Sequence, residues 1–447
     1  MKNSILPFTL FVFLTLRLFS QNWEGHAAGL LPDGYQIISI SVVDDKTVWV
    51  NASVASVVFG PSTVPANHLI KILRTTDGGE TWHSYDVEES IGRFSFDIVG
   101  IDSLTAWLTT QDYNNGLDRA LYKTEDGGNT WTLKLKHRSA GVFMRVFDSE
   151  RLMCQNNSFK AWSDDGGDTW HLDTLAGYIG NEYNVVVSAN NMADVVGDTV
   201  WVGTTPNGRI VRTTNYGQTT EFFETGLNNV YIQSIAFKDH LNGMLFYFAS
   251  ASDFGVARTS DGGVTWEKNF PQPPANYEYN LTYVPGTSGG FVTATDLYEA
   301  GSEVFWTTDF GETWTFGGSI PNTTTNSIAF SSPTSGWVAS TDDLSSSSGK
   351  PLLYKWTGNA FVSSAKEAII GEIALFPNPA SDFLYLTLPE NVAQPFHASL
   401  FNLSGRLVKT QTLSPGQPLE LKGLAAGMYW VKAVAGGQVF TGKFCKI

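Results

Sequence analysis

The sequence predicts an all-β chain: a seven-bladed β-propeller followed by a small, Ig-like C-terminal β-sandwich. Three observations lead there. An eight-residue pattern, Thr/Ser-x-Asp-x-Gly-x-Thr-Trp, recurs along the chain. The copies stand at the spacing of one four-stranded sheet. The last 76 residues lack the pattern and change composition.

The pattern reads TTDGGETW at Thr75 to Trp82, TEDGGNTW at Thr124 to Trp131 and SDDGGDTW at Ser163 to Trp170. It returns as TSDGGVTW at Thr259 to Trp266 and TTDFGETW at Thr307 to Trp314, with an eroded copy, TTNYGQTT, at Thr213 to Thr220. The third positions are Asp77, Asp126, Asp165, Asn215, Asp261 and Asp309, so the gaps are 49, 39, 50, 46 and 48 residues. A period of roughly 40–50 residues fits a propeller blade. The Asp suits a side chain that accepts hydrogen bonds from its own turn. The Gly at the fifth position suits a positive φ. Each box therefore reads as the turn between the two outer strands of a blade.

The segments before the boxes supply the inner strands. SISVVDDKTVWV (Ser39 to Val50), SIAFKDHLNGMLFY (Ser234 to Tyr247) and SIAFSSPTSGWVAS (Ser327 to Ser340) each read as a β-rich run, a polar turn and a second β-rich run. Seven such units follow one another. The seventh, Ser327 to Val362, carries YKWTGNAF where its box should be. Asn22 to His26 resembles the start of an outermost strand and is expected to close the ring, because an open propeller leaves sheet edges exposed.

These boxes resemble the Asp-box (BNR-type) repeats of sialidases, xyloglucan-degrading propeller enzymes, sortilin-type receptors and photosystem II assembly propellers, over Asn22 to Val362. The resemblance implies the fold. It implies no single function, since those relatives do unrelated work on one scaffold.

The two ends carry addresses. Residues 1–20 read as a secretory signal peptide: Lys2, an apolar run from Ile5 to Phe19, then Ser20. That run is short and interrupted by Arg17, so no transmembrane segment is expected. Residues 363–371 (SSAKEAIIG) read as a linker. From Glu372 to Ile447 the chain resembles the type A C-terminal sorting domain of the type IX secretion system of Bacteroidetes. Phe376-Pro377-Asn378-Pro379, Asn402-Leu403-Ser404-Gly405-Arg406, Gly427-Met428-Tyr429 and Gly442-Lys443-Phe444 carry the likeness; Cys445 stands where an apolar residue is commoner. The resemblance implies a partner, the secretion machinery, and a secreted or surface-anchored product. Cys154 and Cys445 fall in different domains, so no disulfide is expected.

Residues 21–371 hold 20 basic and 39 acidic residues, a net charge of −19. That sign excludes nucleic acid and anionic membrane as partners. The histidines are scattered, so no metal and no cofactor is expected.

Catalysis finds little support. The sialidase likeness would require an arginine triad for the substrate carboxylate. Yet Arg74, Arg212 and Arg258 share one repeat position, directly before a box, and read as blade-edge residues. A retaining or inverting glycosidase needs two facing carboxylates, and nothing in the sequence pairs two across the ring. Candidate ligand-binding residues sit where the innermost strands begin: Tyr35, Asp97, Tyr183, Asn184, Tyr231, Gln233, Glu278, Tyr279 and Asn326. An aromatic beside an amide or carboxylate suits sugar rings. The long loops Asn51 to His68 and Thr341 to Lys350 are candidates to decorate a face. The expected function is non-catalytic binding of an extracellular glycan or protein. The alternatives are a polysaccharide-active glycoside hydrolase, sialidase-like or xyloglucanase-like, and an assembly factor.

Overall fold

The computed structural model describes residues 22–447 apart from 28, 33, 55–67, 114, 139, 142, 157, 180–181, 183–191, 228, 251–252, 272, 274–278, 297–301, 321–322, 343–351, 359–360, 362–368, 388–395, 403–406, 415 and 436–437. The signal-peptide segment, most of the two long loops, and Tyr183, Asn184 and Glu278 lie outside the described residues. The chain divides into two compact units, residues 1–361 and 362–447.

Among the described residues the first unit forms seven four-stranded antiparallel sheets. Blade 1 runs Tyr35–Val42, Val48–Val54, Ile70–Thr75 and His83–Val87 in spatial and chain order. Blades 2 to 6 repeat that order, with innermost strands Arg93–Gly100, Phe143–Val146, Ala193–Val196, Tyr231–Phe237 and Tyr279–Tyr283. Blade 7 takes three strands from Thr323–Ser332, Ser335–Asp342 and Leu352–Trp356, and its outermost strand from Trp23–His26. Trp23 pairs with Trp356 and His26 with Leu353, so the ring closes by joining its two ends.

Seven separate apolar clusters fill the junctions between neighbouring blades. Their largest members come from second strands: Trp49, Trp201 and Trp337 are fully buried. The boxes explain how these junctions fit. Added as a probe, a Cβ on Gly79 would lie 2.5 Å from the Trp337 ring, and one on Gly167 2.3 Å from the Trp107 ring. The fifth-position glycine of each box thus rests on a second-strand side chain of the preceding blade. Trp49 meets Gly128, Met153 meets Gly217, Trp201 meets Gly263 and Met244 meets Gly311. These glycines have φ between +75° and +96°. The preceding box position is also left-handed, even where Tyr216 (φ 60) and Phe310 (φ 62) replace glycine.

Inside the first box, Thr75 Oγ1 donates to Asp77 Oδ1 at 2.8 Å, and Gly79 N donates back to Thr75 Oγ1 at 2.9 Å. Thr81 N donates to Asp77 at 2.9 Å. The same pattern holds around Asp126, Asp165, Asp261 and Asp309. In the eroded copy Asn215 keeps the bond from Thr219 N and donates its amide to Thr219 Oγ1.

The second unit has a five-stranded sheet and a three-stranded sheet around one apolar cluster that includes Leu400, Val431, Phe440 and Phe444. This is the small β-sandwich. Phe376, Phe383 and Tyr385 lie exposed on its three-stranded sheet. Neither Cys154 nor Cys445 is in a disulfide. Burial pushes the Cys154 thiol up to about 12, so it is inert as a nucleophile.

Candidate functional site

Strand direction separates the two faces of the ring. Innermost strands begin at one face, the channel mouth, together with the connections between blades and the loops from second to third strands. The boxes and the turns from first to second strands lie at the other face.

The residues beside the boxes are structural. Arg74 Nη1 donates to Ser103 O in blade 2, and Arg212 Nη1 donates to Gly262 O in the box of blade 5. Arg258 pairs with Glu312 in the box of blade 6 at 2.7 Å, and Lys355 of blade 7 donates to Gly78 O of blade 1. Each reaches the next blade. None of these arginines contributes to a carboxylate-binding triad at the channel mouth. The box aspartates are likewise occupied. The Thr81 hydroxyl, with other hydrogen bonds of the turn, holds the Asp77 carboxyl well below the usual range, and the Thr169 hydroxyl and amide hold Asp165 down to about 2. Asp44 of the Asp44-Asp45 pair accepts from the amides of Lys46 and Thr47, as a solvated turn does.

The channel wall is different. The innermost-strand residue paired with the second-strand aromatic or its equivalent fills one ring: Ser41, Val99, Arg145, Asp194, Ala236, Thr282 and Ala329. Two residues earlier stand Ser39, Asp97, Phe143, Met192, Ser234, Asn280 and Ser327. Several of these side chains bind the backbone of the next blade. Ser39 Oγ accepts from Ile98 N at 3.0 Å, and Ser41 Oγ from Gly100 N at 3.0 Å. Asp194 Oδ2 accepts from Phe237 N, and Asn280 Nδ2 donates to Thr325 O.

Charge occurs at three of these fourteen positions, in consecutive blades: Asp97 in blade 2, Arg145 in blade 3 and Asp194 in blade 4. Arg145 Nη1 donates to Asp97 Oδ2 at 3.1 Å and to Met144 O, while Nη2 donates to Ala193 O at 2.8 Å. All three line a cavity of about 300 Å³ in the channel, with Ser41, Thr282 and Ser327 among the other walls. Asp97 and Arg145 keep about a fifth of their side-chain surface accessible. Protein still surrounds that opening, and burial pushes the Asp97 and Asp194 carboxyls up, against the pull of Arg145 on both. Among the described residues no cluster of three or more metal-ligating groups occurs.

Of the residues expected at the mouth, Asp97 is in this cluster. Tyr35 is half-buried and donates its hydroxyl to Leu69 O at 2.8 Å, tying a strand end. Tyr231 opens blade 5 and is 45% exposed, whereas Gln233 sits in that strand's bulge. Tyr279 begins the innermost strand of blade 6, and Asn326 falls in the bulge of blade 7. The innermost strand of blade 4 is Ala193–Val196; Tyr183 and Asn184 lie outside the described residues. Arg145 and Asp194 were not among the expected site residues. The signal that finds them is the register: count from the residue facing the second-strand Trp or Met.

Residues 374–446 match the family described as the secretion system C-terminal sorting domain. The chain carries that sorting domain in residues 374–446. The type IX secretion system therefore exports it to the cell surface or the extracellular space. No described helix is long and apolar enough to cross a membrane. No curated protein matches the chain. Among solved structures, YCF48 bound to D1 peptide is similar at 15% identity, covering 76% of this chain and 97% of that chain with a TM-score of 0.53. YCF48 from Cyanidioschyzon merolae is similar at 15% identity over 75% and 98%, TM-score 0.52. The GH74 xyloglucanase from Xanthomonas campestris matches at 12% identity over 93% and 68%, TM-score 0.49. At such identities the likeness is one of fold.

Proposed function

We propose that the exported propeller is a non-catalytic binding module for an extracellular protein or glycan, and that its ligand engages the channel mouth. One observation carries this reading. The side chains that follow the repeat are spent on turns and blade junctions, while Asp97, Arg145 and Asp194 break the repeat and meet in one cavity. Those carboxylates are held by backbone amides and a guanidinium, an arrangement that suits recognition. The exposed Tyr231 beside the mouth adds a flat apolar face.

The test pairs a glycan array and a secreted-protein binding screen with a panel of chromogenic glycosides. Binding that Tyr231→Ala weakens, with unfolding unchanged, supports the reading. Glycoside turnover abolished by Asp97→Asn or Asp194→Asn would overturn it in favour of a hydrolase.

A further inference from the structure

The cavity is unbalanced in charge. Two carboxylates face one guanidinium, and the ring around them is otherwise Ser, Thr, Asn or apolar. An uncompensated buried charge is unfavourable until a counter-charge enters. The surrounding domain has the same bias, with a net of −19 over residues 21–371. Such a field draws cations toward a concave, low-dielectric opening.

The type of cation follows from the wall. Calcium takes about six to eight oxygen ligands. Here two carboxylates come from different blades and one already holds Arg145. An alkylammonium or guanidinium needs fewer partners: it donates to a carboxylate and to neighbouring hydroxyls. Ser41, Thr282 and Ser327, from other blades, supply hydroxyls lining the same cavity.

The mouth above this sector indicates what carries the cation. Ile91 (59% exposed) lies in the connection leading into blade 2. Leu117 (66%) lies in that blade's loop from second to third strand. Tyr113 N donates to Gly92 O, and Arg93 pairs with Asp118, so these two segments are tied together. Ile179 (51%) precedes blade 4, and Tyr231 opens blade 5. The sector of the mouth from blade 2 to blade 5, which spans Asp97, Arg145 and Asp194, thus also carries exposed apolar residues. A free amine has no use for them. A protein segment does.

We propose that the channel receives one lysine or arginine side chain of a partner protein, inserted between Asp97 and Asp194, with flanking apolar residues of that segment resting on Ile91, Leu117, Ile179 and Tyr231. This rests on the reading of the mouth as a binding surface and selects protein over glycan.

The test is selection of a random displayed peptide library on the full chain. Enriched peptides are expected to share one basic position between apolar ones. Exchanging that lysine for norleucine, or arginine for citrulline, should weaken binding on the order of thirtyfold, the scale for removing one member of a buried charge pair. Two variants then act in opposite directions. Asp97→Asn removes an acceptor and lowers affinity. Arg145→Gln removes the competing cation and raises affinity about fivefold or more. Loss of fold would lower both, so it cannot imitate this result. A free amine such as spermidine should bind more weakly than the peptide; equal binding would overturn the protein assignment. Enrichment without a basic position, no enrichment, or both variants moving together would overturn the proposal. Glycan-array binding lost with Tyr231→Ala, in a chain that selects no basic peptide, would sink this inference and leave the binding function standing. Absence of either kind of binding would sink both.

Discussion

Replacing the fifth-position glycine of a box by alanine measures how closely neighbouring blades fit. At Gly167 φ is +85°, and a Cβ would stand 2.3 Å from Trp107 Cη2. A left-handed conformation is unfavourable for an L-residue by roughly 1–2 kcal/mol. Trp107 is 2% exposed and cannot swing away into solvent. Forcing a methyl against it adds about 1–3 kcal/mol of overpacking. The expected loss is therefore about 2–5 kcal/mol. Gly92 is the control: φ is +73°, and nothing lies within 4 Å of its added Cβ. Gly92→Ala should show the conformational part alone, about 1–2 kcal/mol. The series is graded. Gly79→Ala, 2.5 Å from Trp337, should approach Gly167→Ala. Gly263→Ala and Gly128→Ala, with nearest contacts of 3.2 and 3.3 Å, should approach the control. Urea unfolding followed by tryptophan fluorescence reads the order. Equal losses at Gly167 and Gly92 would refute the claim that the box glycine is chosen for the junction.

Three further outcomes follow from the geometry. Carboxyls held below their free value stabilise the fold above that value and cease to do so as pH falls through the folded one. Asp165 lies at about 2, so its share should vanish between about pH 4 and pH 2; Asp97 and Asp194 are raised and have the opposite sign, so protonating them favours the fold. Urea midpoints against pH should therefore drop below about pH 4, with a shallower drop in Asp165→Asn, and a decline already under way from pH 7 to 5 would contradict this. Lys160, 3% exposed, donates to Gly217 O and Gln218 O of the next blade; Lys160→Met should cost about 1–3 kcal/mol by stranding those carbonyls, and an unchanged midpoint would show they find other donors. Tyr231→Ala should leave the unfolding midpoint within about 0.5 kcal/mol, which calorimetry can check.

The scaffold was legible because its rules are local. Box chemistry needs eight consecutive residues, and the period repeats it often enough to survive the drift of Asp to Asn215 and Trp to Thr220. Closure by Trp23–His26 was legible for the same reason: the segment looks like other outermost strands. The site was legible only in part. Asp97 follows an aromatic, like other mouth residues, so sequence reasoning reached it. Arg145 and Asp194 lie in strands of four residues and neither directly follows an aromatic, and their partners are distant in sequence. Arg145 meets Asp97 across 48 positions. Such a meeting is set by blade register, which no short window contains.

The clasp at Trp23–His26 also sets an order of events. Its partner, Leu352–Trp356, is among the last pieces of the propeller to be made. Until that piece arrives, the first segment has nothing to pair with and blade 7 shows an open edge. Bringing together ends so far apart is slow and entropically unfavourable, so the final step is the one most exposed to failure. A chain cut short within blade 7 would lack the clasp, and would also lack the export address that follows it. Completeness of the ring and permission to leave are thereby written into the same last quarter of the chain.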